Sequence, residues 1–500
     1  MTEKEKETST GEGHPVTQPK DVLVETKHSL TIGERVIKYT VTCGTIVLKE
    51  EAEKKGDHEG ESEGEKPRAS IFFVAYTLDE VEDRQKRPLT FSFNGGPGSS
   101  SVWLHLGLLG PRRVLLDDEG FAYPPPYKLV DNAYSLLDIT DLVFIDPVST
   151  GFSRAVEGEK PREFHGFKKD IESVGDFIRL YTTRYQRWTS PKFLIGESYG
   201  TTRAAGLSGY LQERHGMYLN GIILISAILN FQADRFNPGN DLPNILFLPT
   251  YTATAWYHHR LSDDLQKDLH ATLQEVESFA IGDYANALMQ GDALLDEDQL
   301  SIARKLARYT GLSEDYIERT NLRIEIFRFT KELLRHAKRT VGRLDSRFKG
   351  IDRDSAGEKF EFDPSMSNIG GPYTATLNDY VRGELKYESD LPYEIHTERV
   401  KPWSYAEFEN EYVNVAETLR KAMTTNPSLK VYVANGYFDL ATPYFATRYT
   451  LTHLGLDKSL LGNLRMGYFE AGHMMYIHIP SLIKLRGELV DFIHWAIPEA

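Results

Sequence analysis

Cysteine is nearly missing from the 500-residue sequence, with Cys43 the only one. A lone thiol excludes an intrachain disulfide and a thiolate zinc site, so stability has to come from packing. Cys43 itself reads as a small apolar strand residue. Long apolar runs are missing as well. The longest, Gly221 to Leu229, falls far short of the roughly 20 residues of a membrane-spanning helix and suits a buried strand, so the expectation is no membrane insertion. Positive charge is in deficit: 58 Lys and Arg stand against 73 Asp and Glu, a net charge of −15. Such a chain offers phosphate backbones no electrostatic footprint, so no nucleic-acid partner is expected. Met1 to Lys20 hold none of the roughly 7 to 15 consecutive apolar residues of a signal peptide, so the expected location is cytoplasmic.

What the sequence does contain is ample material for a core, with 40% hydrophobic and 11% aromatic residues. The polar, aperiodic residues 1–26 read as a disordered tail that cannot offset its ordering entropy by burial. His28 to Glu50, β-branched and alternating, predicts a hairpin that Ala69 to Leu78 continues, and the Glu/Lys/Gly run Lys49 to Arg68 between them reads as a solvated loop. Leu89 to Phe93, Leu142 to Ile145, Lys192 to Ile195 and Val431 to Ala434 are short apolar runs ending in turn-rich sequence, the pattern of central parallel strands. Chemistry in open α/β sheets gathers at the carboxyl ends of such strands. From Phe231 helical periodicity dominates, as in Leu265 to Phe279 and Asn321 to Leu334, with the pair His258-His259 nearby. The resulting division is a first core part at 27–230, a mainly helical cap insertion at 231–388 and a last core part at 389–500.

The strand Lys192-Phe-Leu-Ile runs into Gly196-Glu197-Ser198-Tyr199-Gly200 and then into a helix-compatible stretch. A serine on a sharp strand-to-helix turn is held clear of its own backbone, and the helix start behind it points N–H groups at any oxyanion formed there. Serine needs a base to take its proton, and a carboxylate to orient that base. Asp439, after the strand Val431-Tyr-Val-Ala, and His473, in Ala471-Gly-His, follow Ser198 in the required order. An oxyanion stabiliser is expected from an earlier strand end, and Asn94-Gly95-Gly96-Pro97-Gly98-Ser99 is that junction. No Gly-x-x-x-x-Gly-Lys-Ser/Thr spacing exists to make it a phosphate cradle.

These blocks resemble the serine carboxypeptidases, peptidases of the α/β-hydrolase fold. The resemblance is carried by Asn94-Gly-Gly-Pro-Gly-Ser-Ser, Asp146-Pro-Val-Ser-Thr-Gly-Phe-Ser153, Gly196-Glu-Ser-Tyr-Gly, Asn435-Gly-Tyr-Phe-Asp439 and Gly472-His473, in family order over most of the chain. It implies a mostly parallel sheet flanked by helices, with a helical cap. Ser198 is then nucleophile, His473 general base and acid, and Asp439 its orienting carboxylate. Gly96 and Tyr199 supply the oxyanion N–H pair. Peptides are the implied substrates, and neither cofactor nor metal is implied.

The resemblance further implies that Asn94, Gly95 and Glu197 hold the terminal carboxylate of a substrate. The family's second glutamate falls on Leu108, so that pair is broken. Ser99 replaces the family's cysteine in the glycine loop, Thr201 replaces a small residue, and the disulfides of secreted members have no counterparts. These departures resemble an intracellular bacterial branch. Arg343 and Arg347, late in the cap, are candidate cations for the carboxylate; the alternative is an Arg/Asp pair fixing the cap to the sheet. Two other functions fit the same blocks. One is an esterase or acyltransferase using the same triad, the other a catalytically silent binding homologue.

Overall fold

The computed structural model describes residues 19–53 and 61–498. β1 (Val22–Ile32), β2 (Arg35–Glu53) and β3 (Ser62–Leu78) form an antiparallel meander. Next come β4 (Leu89–Phe93), β5 (Asp141–Ile145), β6 (Lys192–Ser198), β7 (Gly221–Ala227), β8 (Lys430–Gly436) and β9 (Leu464–Phe469). These six run parallel in the spatial order β5-β4-β6-β7-β8-β9, and β3 joins them by pairing antiparallel with β5. The main helices are α1 (Phe167–Arg184), α2 (Tyr199–His215), α3 (Leu242–Tyr257), α4 (Leu269–Phe279), α5 (Asp296–Thr310), α6 (Pro364–Gly383), α7 (Ala416–Thr425) and α8 (Ile479–Ala496).

The parallel strands are apolar on both sides because both sides are covered. In β7, Ile223 and Ile225 join the core shared with α6 and α8, while Ile222 and Leu224 join the one shared with α1, α2 and α7. Each fully buried Leu or Ile of this kind contributes roughly 1.5–3 kcal/mol. A third core lies among α3, α4 and α5, where Tyr251, Leu273, Val276 and Leu306 pack with Phe329. That core also takes in Phe438, Leu440 and Tyr444, which flank Asp439. α6, late in the 231–388 span, packs instead on the sheet through Ile369, Tyr373 and Leu377.

Three elements differ from the sequence expectation. β1 begins at Val22, inside the span read as a tail, where it lies along β2 with Val22 opposite Thr45; residues 1–18 are outside the described residues. β2 and β3 also continue into the charged run read as loop, with Glu50 opposite Lys66 and Glu51 opposite Glu65. A ladder needs only backbone partners, and one such facing pair is of opposite sign, so charge did not prevent strand formation. The periodic stretch Asn321 to Leu334 turns helical only at Ile326, where the Glu325 carboxylate accepts from the N–H groups of Phe327 and Arg328 and caps the helix; Asn321 and Leu322 have φ of +50° and +63°. Cys43 is buried in β2, and burial pushes its thiol pKa up.

Candidate active site

β6 ends and α2 begins at Ser198, whose φ of 59° and ψ of −130° place it on a strained turn. Strain at a non-glycine residue marks a position over-determined by its surroundings. Here the surroundings are close backbone. A Cβ on Gly196 would stand 2.1 Å from the Gly200 oxygen, and a Cβ on Gly95 would stand 2.4 Å from the Tyr199 nitrogen. The glycine loop after β4 therefore lies directly against the first amides of α2. Gly96, with φ of +102°, turns the loop at that point. Thr201 is not an idle replacement: its hydroxyl donates to the Ser198 carbonyl at 2.7 Å and accepts from the Ile228 N–H at 2.9 Å.

His473 Nδ1 lies 2.8 Å from Asp439 Oδ2. The carboxylate is held in turn by the N–H groups of Ala441 and Thr442 and by the Thr442 hydroxyl, at 2.8, 3.1 and 2.7 Å. Both side chains are buried. Burial alone would lower the His473 pKa, but the charge and hydrogen bond of Asp439 outweigh it and raise the pKa above its ordinary value.

The segment Arg343 to Ser346 ties the loops of Asp439 and His473 together. The Arg343 carbonyl accepts from Leu440 N–H at 3.0 Å, the Leu344 carbonyl from His473 N–H at 2.7 Å, and the Ser346 N–H donates to the Phe438 carbonyl at 2.9 Å. Asp345 Oδ2 accepts from Gly472 N–H at 3.1 Å. A Cβ on Gly472 would stand 2.4 Å from the Asp345 Cβ, so only glycine fits before the histidine. Ser346 is anchored to the end of α3 by the Thr254 hydroxyl and the His258 ring, each at 2.7 Å. His258 thus serves the strap.

This strap decides between the two arginines. Arg347 is buried and its guanidinium grips Asp345, with Nη2 to Oδ2 at 2.7 Å and Nε to Oδ1 at 3.0 Å. It is not among the residues lining the cleft, so the expectation that it meets a substrate carboxylate is corrected: a buried cation with a buried anion beside it is already neutralised. Arg343 does line the cleft, a space of about 430 Å³ that also brings together Asn94, Gly95, Gly96, Glu197, Ser198 and His473.

Glu197 is buried beside Ser198. Asn94 Nδ2 donates to its Oε2, and the Tyr476 hydroxyl reaches both oxygens, at 3.0 and 2.8 Å. Burial pushes the Glu197 pKa up to about 7, against the lowering pull of His473 and of the Tyr476 hydrogen bond. Leu108 lies in the apolar core that Tyr476 also joins, and offers Glu197 no polar group. Tyr476 escaped sequence reading because a tyrosine three residues after a histidine has no motif of its own, and only the short turn Met475–Ile477 brings it back to β6. Among the described residues no group of three His, Cys, Asp or Glu is placed to hold a metal ion, and no helix is long and apolar enough to cross a membrane.

Comparison with known proteins places the chain in a family. The serine carboxypeptidase family model matches residues 60–463. Serine carboxypeptidase-like 34 of Arabidopsis thaliana is 24% identical over 406 residues, 76% of this chain and 70% of that protein. The pheromone-processing carboxypeptidase KEX1 of Saccharomyces cerevisiae is 35% identical over 137 residues, which span 26% of this chain and 17% of that protein. The crystal structure of the yeast KEX1 carboxypeptidase superposes with a TM-score of 0.54 at 17% identity, covering 91% of each chain, and so shares the fold. With the family model spanning most of its length and the α/β-hydrolase sheet carrying the elbow, the chain belongs to the serine carboxypeptidase family.

Proposed function

We propose that the protein releases C-terminal residues from peptides through an acyl-enzyme on Ser198. The observation that carries this reading is the buried His473–Asp439 pair at 2.8 Å in the same cleft as a strained Ser198. His473 takes the Ser198 proton as Oγ attacks the scissile carbonyl, and Asp439 steadies the imidazolium that forms. The N–H groups of Gly96 and Tyr199 receive the oxyanion, at a helix start where backbone donors are already oriented. His473 then gives its proton to the departing amine. Water, activated by the same imidazole, resolves the acyl-enzyme.

The free C-terminus of the peptide is taken up by Asn94, the Gly95 backbone and Glu197, with Arg343 as the nearby cation. Two carboxylates repel unless one of them carries a proton, so a Glu197 with a pKa near 7 suits this use. The test is a comparison of one peptide as free acid and as C-terminal amide. Preference for the acid supports the assignment; equal kcat/KM for the two directs the reading to endopeptidase or ester chemistry.

A further inference from the structure

Glu197 is served by donors. Tyr476 offers a hydroxyl to both of its oxygens and Asn94 an amide N–H to one. The Tyr476 ring also fills the space over Gly107, where a Cβ would stand 2.4 Å from its Cε2. The turn that carries Leu108 is therefore sealed by this tyrosine. We propose that Tyr476 is a positioning residue for terminal-carboxylate capture, a fixed hydrogen-bond donor that holds Glu197 and sets the pH at which it accepts the proton needed to bind a free-acid peptide. This rests on the reading of Glu197 as the carboxylate-binding acid.

The chemistry differs from that of two paired acids. A carboxylic acid pair shares one proton, and either partner can give or receive it. A buried phenol near neutral pH keeps its proton, so it always has one to donate to the Glu197 carboxylate and cannot take one from it. Tyr476 and Asn94, both donating, favour the ionised form of Glu197 and so oppose the burial that raises its pKa. Binding a free-acid peptide requires Glu197 to carry a proton, taken from solvent where pH has removed it, which it donates to the incoming carboxylate while Tyr476 remains on the other oxygen. His473 and Asp439 act on Glu197 with opposite signs, and Tyr373, a second phenol nearby, is neutral at these pH values. A substitution at Tyr476 leaves all three in place.

The experiment is the pH dependence of KM for matched free-acid and amide peptides in the parent and in Tyr476→Phe. Losing a donor to a charged group should move the midpoint of the free-acid rise up by about one pH unit, with the amide profile unmoved in pH. In a Glu197→Gln background the same substitution should leave the acid profile where it was. An unmoved or lowered midpoint in Tyr476→Phe, with the parent still distinguishing acid from amide, overturns the role of Tyr476 alone. Equal acid and amide profiles in the parent overturn the carboxylate-site reading beneath it, and the inference with it. If Tyr476→Phe does not fold, 3,5-difluorotyrosine at 476 keeps the ring and strengthens the donor. Its midpoint should then fall, and an unmoved one refutes the proposal.

Discussion

Arg203 Nε donates to Asp170 Oδ2 at 2.8 Å, and the same guanidinium reaches through Nη1 to the Asn94 carbonyl at 2.5 Å. Both side chains are only 1% exposed, so this pair is buried at the junction of α1, α2 and the glycine loop. Burial raises the Asp170 pKa, and Arg203 opposes that rise. Removing one partner leaves an uncompensated charge inside the protein, which costs roughly 3–5 kcal/mol. Asp170→Ala should accordingly lose that much stability in urea unfolding and lower kcat as the loop slackens. A loss under about 1 kcal/mol would show that the loop is held by other means.

The triad assignment predicts a hierarchy. Ser198→Ala should abolish labelling by an organophosphonate with the fold intact, and intact-mass analysis of the parent should place a single adduct on Ser198. His473→Ala should lower kcat by a factor on the order of 10⁶, and Asp439→Asn by about 10⁴. An adduct on Ser100 or Ser153 instead would sink the elbow assignment.

Two titrations shape the pH profile with opposite signs. Glu197 has to be protonated to meet a free carboxylate, and with its pKa at about 7 this condition is lost as pH rises through neutrality. His473 has to be neutral to act as base, and with its pKa raised above the ordinary value that condition is lost as pH falls. For a free-acid peptide kcat/KM should be bell-shaped around neutral pH, while for its amide only the acid limb should remain. A bell of the same width for both substrates would refute the assignment of the basic limb to Glu197.

The two cap arginines should separate cleanly. Arg343→Ala should raise KM for the acid peptide and leave the amide nearly unchanged. Arg347→Ala leaves Asp345 buried without its cation and slackens the hold on Gly472, so it should depress stability by several kcal/mol and lower kcat for acid and amide alike. Acid-selective loss of KM in the Arg347 variant would reverse this division.

Much of the molecule was legible in the sequence because its strongest signals are local. Apolar runs such as Gly221 to Leu229 mark strands covered on both faces, and close backbone approach at Gly95 and Gly196 demands glycine whatever lies around it. What escaped depends on contacts between distant parts of the chain. Charged residues Lys49 to Glu53 pair in a ladder that composition does not reveal, since backbone groups rather than side chains make the bonds. Arg347 and Arg343 look alike in sequence, and only the position of Asp345 distinguishes a buried ion pair from a cleft-lining cation. Tyr476 acquires its partner from a strand far earlier in the chain.

The segment Arg343 to Ser346 lies in the span expected to form a cap, and it bonds the loops of both Asp439 and His473. The register of Asp439 against His473 is thus set by a segment that contains neither of them. Grafting a foreign cap to change substrate preference would remove four of the bonds that register acid against base, so a successful chimera has to carry this strap across with Thr254 and His258, its anchors. The boundary useful to an engineer runs through the cap, beyond the strap, and not where the sheet ends.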